Sequence, residues 1–258
     1  MKIGTCISPT LFEEAFPAAD YVEVPARTFF TMDEGQFRAF CDRVESGQLT
    51  PGACNCLTPN ELRLTGPEVD MQAIENYCAV TFDRMAQLHI PLLVFGAGRS
   101  KSVPEGFSRE KAWEQLLEIG TLFARTAKQY GQTIAVEPLS YTETNIINTV
   151  QEAADYIRAV NMPNFKFMVD FYHFDNNNDD PAALQKSSAD LVHAHFAAPK
   201  TREIPQSEAD FAFVRQCLGM LKNANYNGAL SFEGKHPAPA LTNQALHAVK
   251  QLWSDINA

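Results

Sequence analysis

Four short apolar runs in the second half of this chain each stop on a carboxylate or an imidazole, and they recur at a nearly constant interval. The runs are Ile134-Ala135-Val136-Glu137, Phe167-Met168-Val169-Asp170, Val192-His193-Ala194-His195 and Leu230-Ser231-Phe232-Glu233. Glu137 and Glu233 lie 96 residues apart across three such units, about 32 residues per unit, and 258 residues shared among eight units gives nearly the same length. One strand, one helix and their two turns fill such an interval.

The first half of the chain completes the pattern. Strands are expected at Ile3–Ile7, Tyr21–Val24, Pro51–Cys54, Leu92–Phe95, Thr133–Glu137, Lys166–Asp170, Leu191–His195 and Ala229–Glu233. Several are continuous apolar runs, as strands covered on both faces should be. Between them lie amphipathic stretches, the clearest at Arg109–Tyr130, where Trp113, Leu116, Leu117, Gly120, Phe123, Ala124 and Ala127 form one stripe. Ser108 can cap its start and Gly131 stop it. Val69–Leu88 and Phe211–Ala224 read the same way, and Asn227-Gly228 turns into the last strand. Strand–helix alternation with short connections predicts an α/β chain folded as one (β/α)₈ TIM barrel, a single domain over residues 1–258. No Ser/Gly-rich or Pro-rich linker divides it, and a hydrophobic content of 45% is enough for one large core.

A formal charge of −10 opposes polyphosphate and anionic lipid, so neither nucleic acid nor membrane is expected as a partner. Met1-Lys2-Ile3-Gly4 leads straight into a strand, with no long apolar leader, and a cytoplasmic chain is the expectation. The cysteines at 6, 41, 54, 56, 78 and 217 are scattered and are expected to be reduced. Cys54-Asn55-Cys56 has no second pair at zinc-like spacing and reads as structural.

In a barrel, the four run ends fall at one height on the C-terminal rim, where active sites of this fold are built. Three carboxylates converging there repel one another unless a cation neutralises them. One divalent metal ion held by Glu137, Asp170, His195 and Glu233 is therefore expected. Carboxylate oxygen with one imidazole suits Mn²⁺ best, with Mg²⁺, Co²⁺ and Zn²⁺ as alternatives.

Longer motifs surround these residues. Glu137-Pro138-Leu139-Ser140-Tyr141-Thr142-Glu143-Thr144 runs on to Asn148-Thr149, Asp170-Phe171-Tyr172-His173 follows, and His193-Ala194-His195 precedes Arg202-Glu203-Ile204-Pro205; Phe232-Glu233-Gly234 closes the set. Together they resemble the xylose isomerase-like barrels of the sugar phosphate isomerase/epimerase superfamily, most closely the ketose 3-epimerase (tagatose/psicose 3-epimerase) branch. The resemblance is strongest over residues 134–233 and weak in the first third. The branch usually has Gly after the Arg-x-x-Pro proline, where this chain has Gln206.

The resemblance implies the same four metal ligands, with substrate-oxygen contacts from Glu143, His173 and Arg202. It implies a metal-dependent isomerase or epimerase acting on a sugar or sugar phosphate, by proton abstraction next to a carbonyl through an enediolate. Ketose 3-epimerisation is the first expectation; aldose–ketose isomerisation and inosose-type dehydration are served by the same site. Glu137 and Glu233, on strands five and eight, are expected to flank the sugar as the acid/base pair. His173 and Arg202 would donate to the developing oxyanion. The outer helices leave a homo-oligomer, dimer or tetramer, open.

Other features carry less. Gly96-Ala97-Gly98 lacks the last glycine of a dinucleotide fingerprint and reads as a turn. Arg99, Lys101, Lys200 and Lys235 follow strands as rim charges or phosphate contacts. Glu23 ends strand two on the rim, as a substrate contact or a plain strand end; His89 reads as structural, and the role of His236 is open. An apurinic-site endonuclease of the same superfamily needs histidines that Ala53-Cys54 and Phe95-Gly96-Ala97 do not offer. A non-catalytic binding protein on this fold would usually have lost a ligand, and all four are present.

Overall fold

The computed structural model describes residues 1–258. Eight parallel strands close on themselves in sequence order: β1 (Lys2–Cys6), β2 (Val22–Pro25), β3 (Pro51–Asn55), β4 (Leu92–Phe95), β5 (Thr133–Val136), β6 (Phe165–Asp170), β7 (Leu191–Phe196) and β8 (Ala229–Phe232). β8 pairs with β1 from Lys2↔Ala229 to Thr5↔Phe232, which leaves no free edge. The expected TIM barrel is the observed one.

Helices surround it: α1 (Ala26–Thr31), α2 (Glu34–Glu45), α3 (Met71–Gln87), α4 (Gly98–Lys101), α5 (Arg109–Gln129), α6 (Val150–Val160), α7 (Phe171–Asn176), α8 (Pro181–Lys186), α9 (Glu208–Asn223) and α10 (Pro239–Asn257). Their ends follow local chemistry. The Ser108 hydroxyl accepts from Lys111 N–H at the start of α5, and Gly131 adopts a left-handed φ of +68 just beyond its end. Capping boxes open α2 (Asp33/Gln36), α6 (Thr149/Glu152) and α9 (Ser207/Asp210).

Strand alternation decides which side chains reach the centre. In β5 to β8 the outward set, Ile134, Val136, Phe167, Val169, Ala194, Phe196, Leu230 and Phe232, joins the helices in one apolar cluster of 60 buried residues. The intervening residues point inward, since successive side chains on a strand face opposite sides. Inside the lower barrel Val94, Ala135 and Met168 form a small separate cluster. Tyr21 fills the space over Gly4 and Gly52, its hydroxyl 2.6 Å from Ser231 Oγ. Continuing the same inward parity one step upward gives Glu137, Asp170, His195 and Glu233. Asp170 lies directly opposite His195 in the β6–β7 ladder, and Glu137 and Glu233 extend β5 and β8 through N–H bonds to Phe95 and Phe196 carbonyls, both 3.1 Å. All six cysteines are unpaired, and no helix is long and apolar enough to cross a membrane.

Candidate metal and active site

The inward side chains meet where the barrel opens. Glu137, Asp170, His173 and Glu233 each place one ligand atom within 4.8 Å of the others. His195 joins from below: its Nδ1 is 3.5 Å from Glu233 Oε2 and 3.9 Å from Glu137 Oε1. Glu137 Oε1, Asp170 Oδ2 and His195 Nδ1 are buried and have no hydrogen-bond partner. Buried carboxylate oxygens and an imidazole nitrogen left without a hydrogen-bond partner in one cluster suit a cation, and the donor set is that of a hard or borderline divalent ion.

Each glutamate divides its oxygens between two directions. Glu137 Oε2 lies over Gly96, so close that a Cβ there would sit 2.3 Å away. Glu233 Oε1 accepts from Asn55 Nδ2 at 3.3 Å, while Oε2 takes Arg202 Nη2 at 2.7 Å. The expected flanking pair thus enters the cluster through one oxygen of each carboxylate.

Proton affinity is divided between the same two carboxylates. Burial, reinforced by the Glu233 and Asp170 charges, pushes the Glu137 carboxyl well above the usual carboxylate range. Burial acts on Glu233 too, but His195 and Arg202 outweigh it and hold Glu233 below that range. One carboxyl favours its proton and the other gives it up.

Arg202 occupies the acidic centre. Its guanidinium reaches Glu143 Oε1 at 2.9 Å, Glu233 Oε2 at 2.7 Å and Asp170 Oδ2 at 3.5 Å, stacked over the Tyr172 ring at 4.9 Å. Its backbone adopts φ +53, and Gly234 lets the Arg202 carbonyl pass where a Cβ would meet it at 2.2 Å. That close approach explains the glycine after Glu233. Gln206, where the resembling branch has Gly, donates its N–H to Asp210 at the start of α9.

The spacing of Asp170 and His173 has a helical cause. Asp170 caps α7 by accepting from Tyr172 N–H at 2.8 Å, so His173, three residues on, returns to the same face. His173 Nδ1 accepts from Ser140 N–H at 3.2 Å, with Ser140 Oγ at 2.7 Å, and its Nε2 lies 3.2 Å from Arg202 Nη2 and 3.6 Å from Asp170 Oδ2. In the long Glu137–Thr149 loop, Asn148 Nδ2 donates to the Leu139 and Thr144 carbonyls and Thr149 caps α6. These polar residues hold the loop that carries Glu143 and Ser140.

Two expectations change. Glu23 does not reach the rim as a substrate contact: it is fully buried beneath the site, bonded to His193 and His195. Lys101 is not a solvated rim charge: the short helix α4 turns it inward, where Nζ donates to the Glu137 carbonyl at 3.1 Å. Burial pushes its ammonium down to about 8. The sequence marked Gly96 only as part of a turn and Asn55 only as the middle of Cys54-Asn55-Cys56; neither was expected at the site, and a glycine directly after β4, on the rim, was the one available signal. His236 Nε2 donates to the Cys6 carbonyl at 2.7 Å and its Nδ1 lies 3.1 Å from Thr242 Oγ1, a structural bridge from the last loop to β1.

In front of the acidic centre lies a cavity of about 380 Å³, lined by Glu137, Glu143, Arg202 and Glu233 together with Arg27, Cys56, Thr58 and Arg99. The sequence pattern of the family described as xylose isomerase-like TIM barrel matches residues 18–252. The chain belongs to that family. Among curated relatives, the ketose 3-epimerase of Arthrobacter globiformis is 24% identical over 184 residues, 70% of this chain and 57% of that protein. The D-psicose 3-epimerase of Ruminiclostridium cellulolyticum is 28% identical over 122 residues, 47% of this chain and 41% of that one. The matched segments thus span roughly half the length of these relatives. The solved 3-keto-D-glucoside 4-epimerase of E. coli superposes with a TM-score of 0.79 at 18% identity, covering 97% of this chain and 99% of that one, and shares the fold.

Proposed function

We propose that this member of the xylose isomerase-like family is a metal-dependent sugar epimerase or isomerase, with ketose 3-epimerisation as its reaction. The observation that carries the reading is the convergence of unpartnered Glu137 Oε1, Asp170 Oδ2 and His195 Nδ1 on Glu233, at the floor of a sugar-sized cavity. The names of the curated relatives point the same way.

Glu137, Asp170, His195 and Glu233 would hold one divalent ion, Mn²⁺ by donor chemistry. Bound there, it supplies Lewis-acid polarisation of a carbonyl and its neighbouring hydroxyl. The remaining work falls to side chains. Glu137 and Glu233 form the acid/base pair: one takes a proton from the carbon next to the carbonyl and the other returns one. The outer oxygens, Glu137 Oε2 at the cavity wall and Glu233 Oε1 beside Asn55, are the ones placed for this exchange. His173 and the Arg202 guanidinium would donate to the oxygen that gains charge, and Glu143 orients Arg202.

The test is proton exchange in D₂O with the Mn²⁺-loaded protein and a panel of ketoses, ketose phosphates and inososes. Label at carbon 3 supports epimerisation, label at carbon 1 or 2 of an aldose–ketose pair moves the reaction to isomerisation, and no exchange with tight metal binding overturns both.

A further inference from the structure

Three arginines line the cavity in front of the acidic centre. Arg202 is committed to Glu143, Glu233 and Asp170. Arg27, in the first turn of α1, and Arg99, in α4, are different: neither guanidinium takes part in an ion pair or a side-chain hydrogen bond. Both residues are exposed, so two uncommitted guanidinium groups face one cavity beside the acidic centre. Their neighbours on the lining, Thr58, Asn60 and Thr142, add hydrogen-bonding groups and no acid.

The chemistry of this wall is that of an anion receptor. A guanidinium offers only donors, in a planar fork that matches phosphate or carboxylate oxygens. A neutral sugar hydroxyl needs an acceptor as well as a donor, and the three carboxylates of the lining are clustered around Arg202 and the Glu137–Glu233 centre. We propose that the substrate carries an anionic group, a phosphate or a carboxylate, held by Arg27 and Arg99 while its carbonyl end faces Glu137 and Glu233. The inference rests on the sugar-epimerase reading for the identity of the other end. It makes Arg27 and Arg99 the residues that select among sugars.

A second cavity, about 400 Å³, adjoins the first and shares Arg27, Cys56 and Glu233 with it; Lys235, from the loop after β8, lines only that one. Lys235 is the internal control, since an anion lodged in the second cavity would depend on it instead of Arg99.

The experiment is calorimetric binding to the full-length Mn²⁺-loaded protein of three matched ligands: a free ketose, its terminal phosphate and the corresponding keto-acid. The phosphate or the carboxylate form, whichever is the physiological source of the anion, is expected to bind at least about tenfold tighter than the free sugar, the size of one charge-assisted contact. Arg27→Gln and Arg99→Gln are each expected to bring that ratio close to one, with one metal ion per chain retained, while Lys235→Gln keeps it. A ratio near one in the unaltered protein, a ratio that survives both arginine changes, or its loss in Lys235→Gln overturns the inference. Deuterium exchange on the same ligands separates the two readings. Exchange with free sugars and no anion preference removes only the anion site, whereas arginine-dependent preference without exchange removes only the chemistry.

Discussion

Glu23 on β2 holds two histidines of β7 at once: its Oε1 is 2.6 Å from His193 Nε2 and 3.2 Å from His195 Nε2, and its Oε2 is 3.1 Å from His195 Nε2. All three side chains are fully buried. Burial opposes the Glu23 charge, yet the two imidazoles outweigh it and hold the carboxyl well below its usual range. By accepting from His195 Nε2–H, Glu23 turns Nδ1 toward Glu137 and Glu233. Carboxylates behind ligating imidazoles typically contribute about 10- to 100-fold to metal affinity. Glu23→Gln is therefore expected to weaken Mn²⁺ binding by about that factor, read by calorimetry, with one site per chain retained. Unchanged affinity would show that the contact serves the barrel interior alone.

Gly96 sets the position of the Glu137 carboxylate. A methyl group at residue 96 would meet Glu137 Oε2 at 2.3 Å, and the carboxylate must move because the backbone of β4 is locked in the barrel. Gly96→Ala is expected to lower the proton-exchange rate by about 100-fold, the cost of a misplacement of roughly 1 Å, while thermal unfolding changes little. A large fall in melting temperature with full activity would contradict this.

Stability in the lower barrel depends on the fit of Tyr21. A Cβ on Gly4 would lie 2.4 Å from Tyr21 Cζ, whose ring is buried and held by the Tyr21–Ser231 hydrogen bond. Gly4→Ala is expected to destabilise the fold by about 1–3 kcal/mol through overpacking. Denaturant unfolding checks it, and metal affinity should hardly change.

Acid sensitivity has an identifiable contributor far from the site. Asp20 accepts from Ile3 N–H at 2.7 Å and pairs with Lys250 at 2.6 Å, tying β1 to α10. Partial burial opposes its charge, but Lys250 and the Ile3 N–H prevail and hold the carboxyl below its ordinary value. A depressed folded-state value stabilises the fold above the unfolded pKa, about 3.9, and that stabilisation is lost as pH falls through the folded one. Asp20→Ala is expected to cost about 1 kcal/mol at pH 7, chiefly by leaving Ile3 N–H unpaired, with little from the exposed lysine pair. The difference between the two proteins should narrow as the pH is lowered below 4. A gap that stays constant with pH would assign the effect to packing.

The strands were legible in sequence because both faces of each are covered, so apolar runs mark them to within one or two residues at either end. Helix limits were legible where caps were, as at Ser108 and Gly131. Glu137, Asp170 and Glu233 share one cluster, with His195 Nδ1 beside Glu137 and Glu233, because strand parity and the common unit length are one-dimensional facts. What sequence did not carry is contact across the barrel. Glu23 and His193 are 170 residues apart, and nothing in either local pattern announces the other. Lys101 looked like a solvated charge because its burial depends on the inward turn of a four-residue helix, too short to leave a periodic signature. The cavity position of Arg27 likewise depends on how α1 leaves β2.

The most direct test of the proposed chemistry is solvent deuterium incorporation by the Mn²⁺-loaded protein, followed by NMR, for the unaltered chain and for Glu137→Gln and Glu233→Gln. Label on the carbon next to the carbonyl is expected in the unaltered protein, and each substitution is expected to slow its appearance by at least about 100-fold. Incorporation at the same rate in either variant would contradict the assignment of these two carboxylates as the groups that move the proton.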